Sequence, residues 1–370
     1  MNPPLLLVFI GTRPEAIKMS PVIRALKRKD CFRVQICLTG QHREILDPTL
    51  SELEITPDWD LSLMDPHQTL QGFSSKCLQE IPALLEKARP QCILVQGDTS
   101  TSLFGALAAF YSKTPVAHIE AGLRTQKKYS PFPEEMNRKL LGCLSDFHFC
   151  PTKKAVENLL QEGIAPTRVF QTGNTSIDAL KMEWERNVEY EKLQKYFGSS
   201  KIFLVTAHRR ENFGEGLQGI CQALVGLSEE FPNYQFLYPV HPNPEVRKSV
   251  FQALHHQERI HLLDPLNFSE LVYILRNCSG VLTDSGGIQE EAPTLGLSTL
   301  ILRKDTERPE AIETGFGYLV GTDPKEIMDC FKRLVSEGAF EEKAHWIPSS
   351  FGDGTAGEKI ADILEKYLIY

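Results

Sequence analysis

The sequence predicts an α/β fold built from two doubly wound parallel sheets of the Rossmann type. Three observations predict it: short apolar runs recur, each run ends in a glycine-rich or polar cluster, and helical patterns separate the runs. An apolar run without polar alternation is typical of a strand buried on both faces of a parallel sheet. Because 370 residues exceed one average domain, two such sheets are expected.

The first domain is predicted over residues 1–175. Its predicted strands are residues 5–10, 34–39, 92–96, 116–119, 147–150 and 169–171. Strands alternating with helices form βαβ units, which place successive strands parallel in one sheet. Open sheets of this kind bind ligands at the carboxyl ends of their strands.

A helical connector is predicted at residues 176–198, followed by a second domain at 199–354. The strands of this domain are predicted at residues 202–206, 235–240, 280–283 and 299–302. We expect a final helix over 355–370 to pack back on the first domain. Two domains of this kind are expected to face a central cleft, which is the usual place for a ligand.

Composition and charge limit the possible partners. The chain is 42% hydrophobic and 24% charged, with a formal net charge of −8. This acidic balance argues against a nucleic-acid or membrane-surface partner, because both require a basic face. Any bound phosphate must therefore be held by local basic groups.

The nine cysteines are scattered and form no C-x-x-C pair. This pattern favours a reducing cytosol over a disulfide framework or a zinc ribbon. The apolar run at residues 5–10 has the length of a strand and no basic region precedes it, so no signal peptide or membrane span is predicted there. The expected location is cytoplasmic.

An anion site is predicted where the strand at 280–283 ends. Ser285 is interpreted as a helix N-cap, followed by Gly286, Gly287 and good helix formers up to Pro293. Unpaired amides and the positive end of a helix dipole favour a phosphate; a plain capped helix is the alternative. Glu290 and Glu291 follow on the first turns, where a carboxylate can accept hydrogen bonds from a ribose. A nucleoside diphosphate is the predicted ligand.

Three carboxylates are candidates for proton transfer. Asp98 and Glu120 follow predicted strands, and Glu134 lies in a proline-rich stretch. Any one alone is more readily a cap or a surface acid. Three at one sheet edge would repel a phosphate, so they indicate acid–base chemistry on a neutral part of the ligand.

Basic groups for an anion occur at two further strand ends. Arg13 begins a helical pattern after the first strand and could pair with a phosphate, a surface arginine being the alternative. His208 lies in a cluster with Arg209 and Arg210, while His241 is a less specific strand-end histidine. No P-loop, zinc-ligand spacing, nucleophile elbow or dinucleotide fingerprint is found, so a reaction without metal or cofactor is expected.

Taken together, the motifs closely resemble the bacterial, non-hydrolysing UDP-N-acetylglucosamine 2-epimerases. The matching segments run in order along nearly the whole chain: 11–15 (GTRPE), 39–42 (TGQH), 96–99 (QGDT), 118–124 (HIEAGLR), 131–138 (PFPEEMNR), 208–212 (HRREN), 241–244 (HPNP), 283–293 (TDSGGIQEEAP), 306–310 (TERPE) and 352–356 (GDGTA).

The resemblance implies a GT-B fold, a homodimer and an isomerase that interconverts UDP-N-acetylglucosamine and UDP-N-acetylmannosamine for cell-envelope polysaccharides. In this family the C2 proton is removed while UDP leaves C1, which gives 2-acetamidoglucal, and re-addition inverts C2. By position, the implied catalytic residues are Asp98, Glu120, Glu134 and His208. The implied UDP contacts are Arg13, Lys18, His208, Ser285, Gly286, Gly287 and Glu291.

Some bacterial members bind a second UDP-N-acetylglucosamine as an activator. The residues at the corresponding positions are Gln41, His42, Gln68, Glu134, Arg210 and His241. His67 stands where an arginine is common in that site.

Three alternatives remain open at the level of the sequence. A GT-B glycosyltransferase would share the phosphate site but would have no use for three acids around C2. A hydrolysing epimerase, which releases free N-acetylmannosamine, would differ in the access of water. A UDP-sugar-responsive binding protein would bind the ligand without turnover.

Overall fold

Two parallel sheets organise residues 3–40, 43–65, 68–198, 200–306, 308–347 and 350–369, the parts of the chain that the computed structural model describes. One unit comprises Met1–Ala179 with Ser350–Tyr370, and the other comprises Leu180–Ser349. Each unit contains one sheet with helices packed on it. The predicted two-domain α/β fold is confirmed.

The sheet of the first unit has seven strands in the order β3-β2-β1-β4-β5-β6-β7. Its strands are β1 (Leu5–Ile10), β2 (Arg33–Leu38), β3 (Trp59–Asp60), β4 (Cys92–Gln96), β5 (Val116–Ile119), β6 (Phe147–Cys150) and β7 (Val169–Gln171). Every pair is parallel, and all residues of β1, β4 and β5 are buried. Continuous apolar runs form these strands because both faces of the sheet are covered.

Helices cover both faces of this sheet. They are α1 (Arg13–Arg28), α2 (Arg43–Glu52), α3 (Leu70–Ala88), α4 (Ser100–Tyr111), α5 (Glu134–Leu144), α6 (Lys153–Gln161) and α7 (Thr175–Arg186), which continues into the second unit. One apolar core joins β1 to α1 and α2, and another joins it to α3 and α4.

The last helix, α15 (Ala356–Leu368), packs against α1. A Cβ added to Gly357 would lie 2.9 Å from the carbonyl oxygen of Pro21. The contact therefore requires glycine at that position.

The sheet of the second unit has six parallel strands in the order β10-β9-β8-β11-β12-β13. Its strands are β8 (Lys201–Thr206), β9 (Tyr234–Pro239), β10 (Ile260–Leu263), β11 (Gly280–Thr283), β12 (Thr299–Ile301) and β13 (Gly317–Leu319). Its helices are α8 (Glu191–Gln194), α9 (Glu215–Glu230), α10 (Pro244–Leu254), α11 (Phe268–Asn277), α12 (Ile288–Thr294), α13 (Pro309–Glu313) and α14 (Pro324–Ser336). Within the described ranges, every helix is too short or too polar to cross a membrane.

The strands that the sequence analysis did not predict all lie at sheet edges. These are β3, β10 and β13. An edge strand buries fewer side chains than a central one, and these three are mostly partly exposed. Their apolar pattern is correspondingly weak.

The prediction that Ser285 is a helix N-cap is wrong. α12 begins at Ile288, Gly287 occupies the cap position, and no side chain caps the helix. The amide of Ser285 instead donates to Thr283 Oγ1 at 2.9 Å. This local hydrogen bond extends the turn after β11, so Ser285 lies in a loop.

Candidate active site

Glu15 ties together two loops at the carboxyl ends of β1 and β4. Its Oε2 accepts the amide of Gly11 at 3.1 Å, and its Oε1 accepts the hydroxyl of Thr99 at 2.7 Å. Burial raises the pKa of Glu15, while the hydrogen bonds act in the opposite direction. A Cβ on Gly11 would lie 2.1 Å from Thr101 Oγ1, so only glycine fits beside this contact. The loop that carries Asp98 is thereby anchored to the start of α1.

Glu120 directly follows β5 and is held by two side chains. Its φ is 63°, a left-handed conformation that costs a residue other than glycine about 1–2 kcal/mol. Lys18 pairs with one carboxylate oxygen and the side-chain amide of Gln96 donates to the other. A Cβ on Gly97 would lie 3.3 Å from Glu120 Oε2, which places the carboxylate over that glycine. Strained backbone of this kind is characteristic of functional sites.

Asp98 follows β4 and is held by α5. Arg138 Nε donates to Asp98 Oδ2 at 2.7 Å, and the side-chain amide of Asn137 donates to the Asp98 carbonyl at 2.8 Å. Arg138 also donates to the buried carboxylate of Glu135 at 3.0 Å. The Asp98 side chain nevertheless remains 26% exposed, so a ligand can reach it.

Glu134 is the first residue of α5 and lies one turn before Asn137 and Arg138. Its Oε2 is buried and has no hydrogen-bond partner among the described residues. Residues of α5 bind Asp98, and Glu120 lies against Gly97. All three predicted carboxylates therefore belong to the end of the first sheet at which β4 and β5 terminate.

The sequence analysis did not single out His118, which holds the backbone of Gly97 beside Glu120. Its Nε2 lies 2.7 Å from the carbonyl oxygen of Gly97. A carbonyl can only accept, so Nε2 carries the proton. Burial lowers the pKa of His118 to about 4, which keeps the ring neutral. A histidine inside an otherwise apolar strand is the signal that could have indicated it, because a buried polar group needs a partner.

Arg13 and Lys18 are placed on the first two turns of α1. Arg13 is the first residue of the helix and is half-buried, next to Thr12, which caps the helix. Lys18 is engaged by Glu120. The structure therefore connects one of the two basic residues directly to a predicted catalytic carboxylate.

In the second unit, two guanidinium groups surround the turn after β11. A Cβ on Gly286 would lie 2.9 Å from Arg308 Nη1 and 3.2 Å from Arg209 Nη2. Arg209 Nε is buried and has no hydrogen-bond partner among the described residues. The backbone of Ser285, Gly286 and Gly287 is thus exposed to two positive charges, an arrangement suited to an anion.

The two glutamates of α12 have different surroundings. Glu290 is buried and pairs with Arg308. Glu291 is also buried, and a Cβ on Gly287 would lie 3.6 Å from its Oε1. Glu290 therefore orients an arginine at the turn, whereas the Glu291 carboxylate lies beside the turn backbone.

His208 follows β8 and stacks on His241, which follows β9. The ring centroids are 5.1 Å apart and the planes differ by 15°. Burial lowers the pKa of His208, and Asp284 acts in the opposite direction. Its Nδ1 lies 3.8 Å from Asp284 Oδ1.

The residues predicted for a second UDP-sugar are only partly covered by the described residues. Gln41, His42 and His67 lie outside the described residues, as does the side chain of Arg210. Gln68 belongs to the first unit and its Nε2 is buried without a partner among the described residues, whereas His241 belongs to the second unit.

In the described ranges, no group of three or more His, Cys, Asp or Glu side chains is arranged to hold a metal ion.

Comparison with known proteins identifies relatives over nearly the full length. A family model described as UDP-N-acetylglucosamine 2-epimerase matches residues 24–365. A UDP-N-acetylglucosamine 2-epimerase of Neisseria meningitidis is 43% identical over 367 residues, covering 97% of this chain and 99% of the relative. The crystal structure of UDP-GlcNAc 2-epimerase from Neisseria meningitidis, bound to UDP-GlcNAc, superposes with a TM-score of 0.90 at 43% identity, covering 98% and 99% of the two chains. The glycotransferase of kitacinnamycin, at 11% identity and a TM-score of 0.63 over 99% of each chain, shares the fold alone.

Proposed function

The chain belongs to the UDP-N-acetylglucosamine 2-epimerase family, and we propose that it is an isomerase that inverts C2 of UDP-N-acetylglucosamine to give UDP-N-acetylmannosamine. The observation that carries the proposal is the group of three acids at one sheet edge, each held differently. Asp98 is paired with Arg138, Glu120 with Lys18, and Glu134 has an oxygen without a partner among the described residues.

The chemistry of the reaction explains why acids are needed. The C2 hydrogen is not adjacent to a carbonyl, so its removal requires positive charge to develop at C1 as UDP leaves. Carboxylates stabilise that charge and can also accept or deliver a proton. We propose that Asp98, Glu120 and Glu134 carry out these two tasks, with a glucal and UDP as the intermediate pair.

The basic and backbone groups would hold the departing UDP. We propose that Arg13, Lys18 and His208 donate to the diphosphate. The amides of Ser285, Gly286 and Gly287 would complete its binding, and Glu291 would accept the ribose hydroxyls. The guanidinium groups of Arg209 and Arg308 beside Gly286 support a dianionic ligand at this turn.

Proton NMR of UDP-N-acetylglucosamine incubated with the purified protein in D₂O tests the proposal. We expect deuterium at C2 together with UDP-N-acetylmannosamine. Product that remains attached to UDP separates this reaction from a hydrolysing epimerase, which would release free N-acetylmannosamine. Substrate that binds and keeps its C2 proton would contradict the proposal and favour a transferase or a binding protein. The comparisons favour the epimerase over these alternatives.

A homodimer formed through α4 and α5 is also proposed. Phe110 and Tyr111 at the end of α4 are 58% and 67% exposed, and Leu140 on the adjacent α5 is 46% exposed. Large apolar side chains grouped on neighbouring helices favour a protein interface.

Three further assignments remain proposals. The free state of all nine cysteines supports a reducing, cytoplasmic location. The product would supply the synthesis of cell-envelope polysaccharide. A second UDP-sugar would contact Gln41, His42, Gln68, Arg210 and His241. The amide nitrogen of Gln68, which has no partner among the described residues, supports this proposal.

A further inference from the structure

Asp284 is a completely buried carboxylate with two differently satisfied oxygens. Its Oδ2 accepts three hydrogen bonds, from the amides of His208 and Arg209 at 2.9 and 2.8 Å and from the side chain of Asn212 at 3.0 Å. Its Oδ1 is buried and has no hydrogen-bond partner among the described residues. Leaving a buried carboxylate oxygen without a donor is costly, so Asp284 has a function beyond its contacts through Oδ2.

The ring of His208 faces the unsatisfied oxygen. Its Nδ1 lies 3.8 Å from Asp284 Oδ1, which is beyond a hydrogen bond but within the range of an ion pair. A small rotation of the ring would convert this approach into an Nδ1–H to carboxylate hydrogen bond. The backbone of His208 is fixed relative to Asp284, because its amide donates to Oδ2 of the same carboxylate.

His241 limits the ways in which His208 can move. The two rings are stacked, and His241 Nδ1 accepts the amide of Asn243 at 3.1 Å, so the neutral His241 carries its proton on Nε2. The stacking contact restricts tilting of the His208 ring, whose plane differs from that of His241 by 15°.

We propose that Asp284 is a positioning residue for His208, accepting its Nδ1–H when UDP-sugar is bound and stabilising the imidazolium, so that Nε2–H is directed at the diphosphate. This inference rests on the proposed function, in which His208 donates to the departing UDP. A neutral ring that donates Nδ1–H to Asp284 has no proton left on Nε2, so donation to the diphosphate requires the imidazolium, in which both ring nitrogens are protonated.

Burial and the charges that face His208 together determine the pH dependence. Asp284 favours the protonated ring, whereas His241 and Arg209 disfavour it, as does burial, which has the largest effect. Activity that requires the imidazolium should therefore fall as pH rises through the pKa of His208. Removing the charge of Asp284 should move this limb to lower pH.

Asp284→Asn is the direct test. Its amide oxygen can still accept from the His208 and Arg209 backbone, while the NH₂ group replaces Oδ1 and can no longer accept Nδ1–H. We expect kcat to fall on the order of 100-fold and the alkaline limb of the kcat profile to move to lower pH. Asn212→Ala is the matched control, because it removes a donor to Asp284 Oδ2 and to the Leu302 carbonyl and leaves Oδ1 unchanged. It should lower the Tm and leave the limb at its wild-type position.

A second measurement does not depend on turnover. In ¹⁵N-histidine-labelled wild-type protein saturated with UDP, with the His208 signals assigned from His208→Gln, we expect both ring nitrogens to be protonated and Nδ1–H to be hydrogen-bonded. An unprotonated Nδ1, or a folded Asp284→Asn enzyme with wild-type kcat and an unmoved limb, would overturn the inference. Absence of C2 exchange in the wild type would instead contradict the proposed function and leave the NMR result interpretable.

Discussion

Arg138 Nε donates to Asp98 Oδ2 at 2.7 Å, and this ion pair fastens the start of α5 to the end of β4. The pair joins two segments that are 40 residues apart in the sequence. Since α5 also begins with Glu134, it fixes two of the three candidate acids relative to one another.

Replacing Arg138 with Gln should lower kcat about 100-fold, because a misplaced catalytic group loses most of its advantage. Steady-state kinetics and the Tm would be measured together. Arg124→Gln is the control, since Arg124 makes a two-point ion pair with Glu162 at 2.8 and 2.7 Å without contacting the candidate acids. Both variants should be less stable, but only Arg138→Gln should lose kcat. Wild-type kcat in Arg138→Gln would show that Asp98 does not need this pair.

Gly97→Ala should impair catalysis more than stability alone explains. Gly97 has φ 71°, and the new Cβ would lie 3.3 Å from Glu120 Oε2. Gly163→Ala is a matched control, because Gly163 has φ 86° and no atom within 4 Å of the added Cβ. Each variant should lose about 1–2 kcal/mol of unfolding free energy, and only Gly97→Ala should lose tenfold or more in kcat. Equal kinetics in the two variants would exclude a role for the Gly97 contact.

Gly286→Ala should weaken UDP binding by about tenfold, equivalent to about 1.4 kcal/mol. The added Cβ would lie 2.9 Å from Arg308 Nη1 and would displace the guanidinium group. Gly198→Ala in the same unit provides the control, because no atom lies within 4 Å of the Cβ added there. Isothermal titration with UDP would compare the two dissociation constants. An unchanged affinity in Gly286→Ala would remove this turn from the proposed UDP site.

The free energy of unfolding should decrease as pH falls from about 6.5 towards 4. Burial lowers the pKa of His118 to about 4 and that of His148 to about 3. In this range the unfolded chain binds protons at both rings while the folded protein binds fewer, so acid favours unfolding. Each such proton contributes about 1.4 kcal/mol per pH unit.

His148→Phe removes one of these two rings, and denaturant unfolding from pH 8 to 4.5 would show its effect. We expect a shallower pH dependence in the variant. The comparison at pH 8, where both rings are neutral in either state, corrects for any change in packing. An equal pH dependence of the unfolding free energy in both proteins would contradict the lowered pKa of His148.

Tyr111→Glu should dissociate the proposed dimer, because it places a charge in the apolar group on α4. Multi-angle light scattering over a range of concentrations would measure the mass. Phe251→Glu on α10 is the control, since Phe251 is 38% exposed and lies in the second unit. A monomeric wild type, or a Tyr111→Glu protein that remains dimeric, would exclude this surface.

Most of the fold could be predicted because central strands carry their own signal. All ten strands predicted from the sequence are present within one or two residues. Those near the sheet centres, such as β1, β4 and β11, are apolar runs buried along their whole length. The edge strand β3 could not be predicted, because a half-buried Trp59 and an exposed Asp60 form no pattern. The cap assigned to Ser285 failed because the competing hydrogen bond from its amide to Thr283 depends on the conformation of the turn.

The sequence by itself determined the fold class, the family and the residue types at the strand ends, since these follow from local patterns and motif order. Only the tertiary structure decided which groups hold one another. Arg138 reaches Asp98 across 40 residues, Lys18 reaches Glu120 across 102, and Asp284 reaches His208 across 76. Such pairs form because parallel strands bring their carboxyl ends to the same end of the sheet, whatever their separation in the chain. The hydrogen bonds and ion pairs formed there depend on three-dimensional distances, which cannot be read from the spacing of residues in the sequence.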